Sequence, residues 1–213
     1  MTITGVIFDL DGVLCSTDEY HYRAWKATAD SLGIPFDRTV NNRLRGISRM
    51  ASLDIILEQY NGDPLSDAEK AELAEEKNEL YKKYLEQMTE NNLSTEVKTV
   101  LNELRKRNYK LAVGSSSKNT LFILQQLGLN GYFDAVSDGN NITHSKPNPE
   151  VFLKASEMLC IAPEKCLVVE DAVAGAQAGK SGGMKVACVG DASKACAGDY
   201  NMKGISDLLT ILK

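Results

Sequence analysis

Two aspartates, Asp9 and Asp11, follow directly on the apolar, β-branched run Ile3–Phe8 (ITGVIF), with Gly12 just after them. A buried strand feeding a functional loop has this form. Carboxylates two residues apart at a strand end leave on the same face and converge on one point. They repel unless a cation sits between them, and magnesium suits the place, because it takes oxygen ligands from one or two carboxylates together with substrate phosphate. Taken alone, an Asp-x-Asp pair reads more readily as a helix or turn cap, so the rest of the chain decides.

Three later segments bear on the question. After Lys110–Gly114 (KLAVG) stand Ser115, Ser116, Ser117, Lys118 and Asn119. This run of hydroxyls and amides is expected to open a helix, whose free N–H groups form a ready anion site; ordinary N-capping explains the run equally well. Lys146 lies in SKPNP, where Pro147 favours an extended Lys146 and Pro149 suits the first turn of a helix. Its amine then reaches back as a point charge for phosphate, although a lone lysine is more often a surface residue. The run Cys166–Val169 (CLVV) ends in Glu170 and Asp171, followed by Gly175 and Gly179 in a small-residue helix fit for close packing. Acids gathered without a metal raise each other's pKa. Four carboxylates, one lysine and a serine-rich helix start therefore point to a magnesium-dependent phosphoryl-transfer site.

The elements that must position these groups follow from the same runs. Phe133–Ser137 and Lys185–Val189 are further strands, and helical patterns separate most of the five. Such alternation implies a parallel sheet covered on both faces, with ligands beyond the carboxyl ends of the strands. Between Thr17 and Glu90 only helical periodicity remains, which marks an inserted helical subdomain at 17–90 within an α/β core of 1–16 and 91–213. One helix carries Trp25, Thr28, Ala29 and Leu32 and stops near Gly33; a second carries Met50, Leu53, Leu57 and Tyr60. A third opens with the capping pair Ser66 and Glu69 and presents the stripe Leu73, Leu80, Tyr84 and Met88. Lys77 interrupts that stripe, so its amine starts from the buried face, with snorkelling as the plainer outcome. His21 precedes Trp25 by one turn, where a packed histidine is usual, yet its place near Asp11 in the chain allows communication with that acid. Thr17 reads as a hinge residue or a cap, and the segments 15–18 and 90–94 as a two-linker hinge. A last helix is expected near Ile205–Leu212.

With 213 residues, 43% hydrophobic and 25% charged, the chain has ordinary globular composition. Its 24 basic against 29 acidic residues give a net charge of −5, which argues against a nucleic-acid platform while permitting a small anion. Five cysteines without paired spacing indicate reduced thiols. No basic leader precedes a long apolar run and no stretch has the length of a membrane span, so a cytoplasmic protein without membrane or nucleic-acid partners is expected, and a monomer.

The segments DLDGVL, SSSKN, SKPNPEVF and VVEDAVAG, in this order, resemble the four motifs of the haloacid dehalogenase superfamily over nearly the whole chain. STDEYHYRAWK, LRGISRMASL and EEKNELY are similar to the helical cap of its β-phosphoglucomutase family. The resemblance implies a Rossmann-like α/β core with an inserted helical cap, a magnesium ion, and interconversion of β-glucose 1-phosphate and glucose 6-phosphate through β-glucose 1,6-bisphosphate. It further implies Asp9 as nucleophile and Asp11 as general acid and base, with metal held by Asp9, Asp171 and the main-chain carbonyl of Asp11, and Glu170 beside them. Ser115 and Lys146 would grip the transferring group, with Ser116 in the same run, while Arg49, Ser117, Lys118 and Asn119 hold the distal phosphate. Thr17, His21, Trp25, Gly46, Ser52 and Lys77 fall in cap motifs tied to closure and substrate contact. Two departures stand out: LSTEV at 93–97 replaces a Pro-Gly turn, and Ser16 replaces an acidic residue beside the hinge threonine. A phosphatase of the same superfamily is the alternative, and a non-catalytic phosphosugar-binding module a more distant one.

Overall fold

The computed structural model describes residues 2–45 and 47–213; Gly46, expected among the site residues, lies outside them. In chain order, β1 (Gly5–Phe8) is followed by four helices, α1 (Asp18–Ser31), α2 (Arg38–Asn42), α3 (Arg49–Leu57) and α4 (Asp67–Leu85). The chain continues with α5 (Thr95–Lys106), β2 (Lys110–Gly114), α6 (Thr120–Gln126), β3 (Ala135–Ser137) and α7 (Glu150–Met158). It ends with β4 (Cys166–Glu170), α8 (Val173–Ser181), β5 (Lys185–Cys188), α9 (Gly190–Lys194), the two-residue β6 (Tyr200–Asn201) and α10 (Leu208–Ile211). Among the described residues no helix is long and apolar enough to cross a membrane.

The strands form one sheet in the order β3-β2-β1-β4-β5-β6, with every neighbouring pair parallel. The order turns back at β1, and in open α/β sheets the crevice beside such a point is where ligands sit. Phe8 lies opposite Val113 on β2 and Val169 on β4, so the residues that follow these strands begin side by side. The sheet is buried on both faces, which is why its strands read as continuous apolar runs rather than alternating ones. Ile7, Ala112 and Val168 pack with Val151 and Phe152 of α7 and Ala176 of α8, all fully buried. Burying a side chain such as Phe152 contributes about 1.5–3 kcal/mol. Edge strand β6 and helix α2 had no clear sequence signal, the former because two exposed residues carry no apolar pattern.

The chain divides into two compact units, one of Met1–Ser16 with Met88–Lys213 and the other of Thr17–Gln87. The return to the first unit therefore falls slightly before the expected 90/91 boundary. The helical unit has its own core of Trp25, Ala29, Ile34, Phe36, Leu53, Ile56 and Ala74. Helix α4 begins with the Ser66–Glu69 capping box that was expected. Its buried residues are Ala74, Lys77, Asn78, Tyr81 and Leu85, whereas Leu73, Leu80 and Tyr84 are only half-buried. The expected stripe is thus turned by about one residue, because two polar side chains occupy the centre of the inward face and mask it. On α3 the buried residues are Ser52, Leu53 and Ile56, and Met50 is exposed. At 93–97, where the Pro-Gly turn is missing, Ser94 accepts a hydrogen bond from the Val97 N–H and caps α5.

Candidate active site

In the α/β unit the ends of β1 and β4 and the loop between β3 and α7 bring Asp9, Glu170 and Lys146 together. Lys146 Nζ lies 2.5 Å from Asp9 Oδ1 and 2.5 Å from Glu170 Oε1, and 4.6 Å from the centre of the Phe152 ring. All three groups are buried. Glu170 Oε2 accepts the N–H groups of Asp171 (2.9 Å) and Ala172 (2.8 Å), so both its oxygens are engaged, and it holds the lysine and the turn after β4 together. Burial pushes the Asp9 carboxyl well above the usual carboxylate range; the Lys146 ammonium opposes the rise, while Glu170 and Asp171 add to it. Burial also disfavours the charge on Lys146, but the two carboxylates outweigh it and raise its pKa.

Asp9, Glu170 and Asp171 each place an oxygen within 4.8 Å of the others, while the Asp11 side chain is not part of this group. Strand alternation does not relate Asp9 to Asp11, since β1 ends at Phe8 and the chain turns at once, with Asp11 bridged to Cys15. Gly12 adopts φ +82°, and a Cβ there would stand 2.1 Å from Asp171 Oδ2; the turn therefore needs glycine both for its backbone and to leave room for that carboxylate. Three carboxylates against one ammonium leave an excess of negative charge that a hard divalent cation suits, so the donor set fits a metal ion.

The segment Ser115–Asn119 follows β2 as a loop rather than as the start of a helix, which begins only at Thr120. Ser115 Oγ accepts the Ser117 N–H and Ser117 Oγ the Asn119 N–H, each at 3.2 Å. These hydroxyls thus tighten the loop instead of capping α6, whose N-cap residue Asn119 makes no side-chain capping bond. Lys118 is exposed and Asn119 buried. Among the described residues, Ser116 Oγ is the one buried side-chain polar atom without a hydrogen-bond partner, a state that a ligand oxygen would relieve.

The Lys146 loop is fixed from behind. Glu150 accepts the N–H groups of Thr143 (2.9 Å) and His144 (2.8 Å), and these bonds hold its carboxyl down at about 2. Asn148 Oδ1 accepts the Glu150 N–H at 3.0 Å, and the Lys146–Pro147 peptide is cis.

The helical unit holds a second polar cluster. Lys77 is buried rather than snorkelling, with Nζ 2.9 Å from His21 Nδ1 and above the rings of Trp25 (4.5 Å) and Tyr81 (4.6 Å). His21 stacks on Tyr81 at 4.0 Å, and Tyr81 O–H donates to Thr17 Oγ1 at 3.0 Å. Arg49 Nη1 pairs with Glu75 at 2.8 Å, and Ser52 Oγ donates to the Ser48 carbonyl. Tyr81 and Glu75 were not anticipated; Tyr81 lies one helical turn beyond Lys77, the spacing that would have found it.

Burial, and after it the charges of Lys77 and Arg49, hold the His21 imidazole well below its usual pKa. A lysine nitrogen donates, so Nδ1 accepts and the ring proton resides on Nε2. Stability follows from this. In the unfolded chain His21 binds a proton near pH 6.5, whereas the folded unit resists it, so stability is complete above that value and is lost as pH falls through it. Trp25 is the single tryptophan and reports the helical unit alone. We expect its fluorescence-detected unfolding midpoint to drop more between pH 7.5 and 5.5 in the natural protein than in His21→Gln; parallel slopes would refute the linkage.

A family profile described as haloacid dehalogenase-like hydrolase matches residues 3–183. The chain is 40% identical over 204 residues to a β-phosphoglucomutase of Bacillus subtilis (strain 168), covering 95% of this chain and 90% of that protein. It is 31% identical over 182 residues to a phosphorylated carbohydrates phosphatase of Thermotoga maritima, covering 84% and 82%. Among solved structures, a β-phosphoglucomutase from Clostridium difficile superposes with a TM-score of 0.91 at 36% identity, covering 97% of this chain and 93% of that one.

Proposed function

The chain belongs to the haloacid dehalogenase-like hydrolase family, and on that premise we propose that it is a phosphosugar mutase interconverting β-D-glucose 1-phosphate and D-glucose 6-phosphate. The observation that carries this reading beyond a plain phosphatase is the second cluster, in which buried Lys77 and half-buried His21 and Arg49 occupy a unit separate from Asp9 and Lys146. Hydrolysis needs one phosphate cradle. Isomerisation through β-glucose 1,6-bisphosphate needs two, because the bisphosphate must turn end for end between transfers.

In the α/β unit the Asp9 carboxylate attacks phosphorus, the bond to the sugar oxygen breaks, and the phosphoryl group rests on Asp9. Asp11 gives a proton to the departing sugar oxygen and takes one from the attacking hydroxyl in the reverse transfer. Lys146 offsets charge on the transferring group and opposes the rise that burial imposes on the Asp9 carboxyl. Asp9, Asp171 and the Asp11 main-chain carbonyl would hold magnesium, with Glu170 beside them, and the ion would supply positive charge for the phosphoryl oxygens. Ser115 and Ser116 accompany Lys146 at the transferring group. Ser117, Lys118, Asn119 and Arg49 serve the distal phosphate, for which a guanidinium offers two parallel donors. Thr17, His21, Trp25, Ser52 and Lys77 govern sugar contact and closure. Five free cysteines fit a reducing cytoplasm, and a monomer is sufficient for the chemistry.

The rival reading, hydrolysis of a sugar phosphate, draws on the similarity to the Thermotoga phosphatase. One assay separates the two: β-glucose 1-phosphate with magnesium and catalytic bisphosphate, following glucose 6-phosphate and free phosphate independently. Isomer without stoichiometric phosphate supports the mutase, phosphate release the phosphatase, and binding without turnover an inactive module. Arg49→Ala should lower mutase turnover by about 10²-fold while changing hydrolysis of a small phosphate ester by less than about threefold; equal losses would remove Arg49 from the distal cradle.

A further inference from the structure

We infer that the turn Gly139–Asn140, after β3, sets the position of the Ser115–Asn119 loop, which makes both positioning residues for the phosphate that this loop binds. The inference rests on reading 115–119 as a phosphate loop. The two serine-to-backbone bonds inside the loop are long at 3.2 Å. From outside, Thr120 Oγ1 at the start of α6 donates to the Ser117 carbonyl at 2.8 Å, and a further set of supports lies after β3. Ser115 N–H donates to the Ser137 carbonyl (3.1 Å), Gly139 N–H donates to the Ser117 carbonyl (3.1 Å), and Asn140 Nδ2 donates to the Lys118 carbonyl (2.9 Å).

The supporting turn is itself pinned. Asp138, buried, accepts Asn140 N–H at 2.8 Å and Asn140 Nδ2 at 3.1 Å, which orients the amide toward Lys118. Asn141 Oδ1 accepts from Ser137 Oγ (3.1 Å) and from the Asp138 N–H (3.2 Å). The approach is also close: a Cβ on Gly139 would stand 2.5 Å from the Ser116 carbonyl oxygen and 2.9 Å from the Lys118 nitrogen. Both are main-chain atoms, so the phosphate loop would have to shift. Glycine is required here by its neighbour rather than by its own φ, which is not in the left-handed region. The displaced carbonyl belongs to Ser116, whose buried hydroxyl has no hydrogen-bond partner among the described residues.

The test compares Gly139→Ala and Asn140→Ala with the unsubstituted protein, using inorganic phosphate as the probe in the presence of magnesium. Calorimetry gives its Kd, sugar-phosphate turnover gives KM and kcat separately, and thermal unfolding gives Tm. Gly139→Ala should weaken phosphate binding and raise KM by about tenfold or more, since displacements of about 1 Å are costly in such sites. Asn140→Ala, which removes a hydrogen-bond donor, should do so by about three- to tenfold. In both, the affinity for magnesium alone should stay within about threefold, because Asp9, Asp11 and Asp171 are untouched. A lowered Tm with phosphate Kd within twofold of the unsubstituted value overturns the inference, and if Gly139→Ala does not fold, Asn140→Ala decides it alone. An unsubstituted protein that binds phosphate but isomerises no sugar phosphate refutes the mutase reading and leaves this comparison standing; one that binds no phosphate overturns both.

Discussion

Asp9→Asn should abolish phosphoryl transfer, with a loss of at least about 10⁴-fold in kcat, because removing a nucleophile takes away the covalent route itself. The amide nitrogen and oxygen are poor nucleophiles, and Glu170 cannot replace them, since it has one oxygen on Lys146 and the other on two main-chain N–H groups. The fold should survive. Burial already disfavours the ionised Asp9, and Lys146 retains Glu170 as a partner, so the substitution removes a charge whose desolvation opposed folding. Rapid acid quench after mixing with labelled substrate should give phosphate bound to protein in the natural enzyme and none in the variant, with thermal unfolding in chelator unchanged or raised. Retention of more than about 1% of turnover would exclude Asp9 as the nucleophile.

The second large effect concerns Lys146. Replacing it by Met keeps much of the volume beside Phe152 but leaves Asp9 and Glu170 facing each other in the interior without a cation. Breaking a buried pair in this way costs about 3–5 kcal/mol, which in a chain of this size corresponds to a Tm lower by roughly 6–20 °C. The deficit should depend on pH with a definite sign. Without the ammonium, the folded protein holds a proton on the raised Asp9 carboxyl that the unfolded chain releases near pH 4, so the folded state binds more protons and loses stability as pH rises. The variant should therefore lie closest to the natural protein near pH 5 and furthest below it at pH 7.5, with chelator present. Combining Lys146→Met with Asp9→Asn should recover part of the loss, since only one buried carboxylate then remains. A deficit independent of pH, or no recovery in the double variant, would show that the lysine acts through packing rather than charge.

Much of this site was legible before any coordinates. Asp9, Asp11, Lys146, Glu170 and Asp171 announced themselves because each stands directly after a short apolar run or beside a proline, and such punctuation is local. The serine run was found for the same reason, yet its conformation was not: hydroxyls before a helix usually cap it, whereas here Ser115 and Ser117 fold the loop on itself and α6 starts later. Lys77 does lie on the inward face of α4, as its place in the stripe implies, but Leu73, Leu80 and Tyr84 are only half-buried because Asn78 and Tyr81 share that face, and a pattern of apolar residues does not reveal a buried asparagine. Gly139, Asn140 and Glu150 gave no signal, since each acts on main-chain atoms of another segment.

The amino-acid sequence by itself determined the alternation of strands and helices, the helical insertion, and which acids stand at strand ends, because burial and periodicity act over a few residues. The tertiary structure decided the partners. Lys146 lies 137 residues from Asp9 and 24 from Glu170, and the parallel register of β1 with β4, together with the loop between β3 and α7, sets these groups within hydrogen-bond reach. The same register decides which carboxyls are desolvated together, and so the charge state of the cluster, a property of distances between segments that no local pattern encodes.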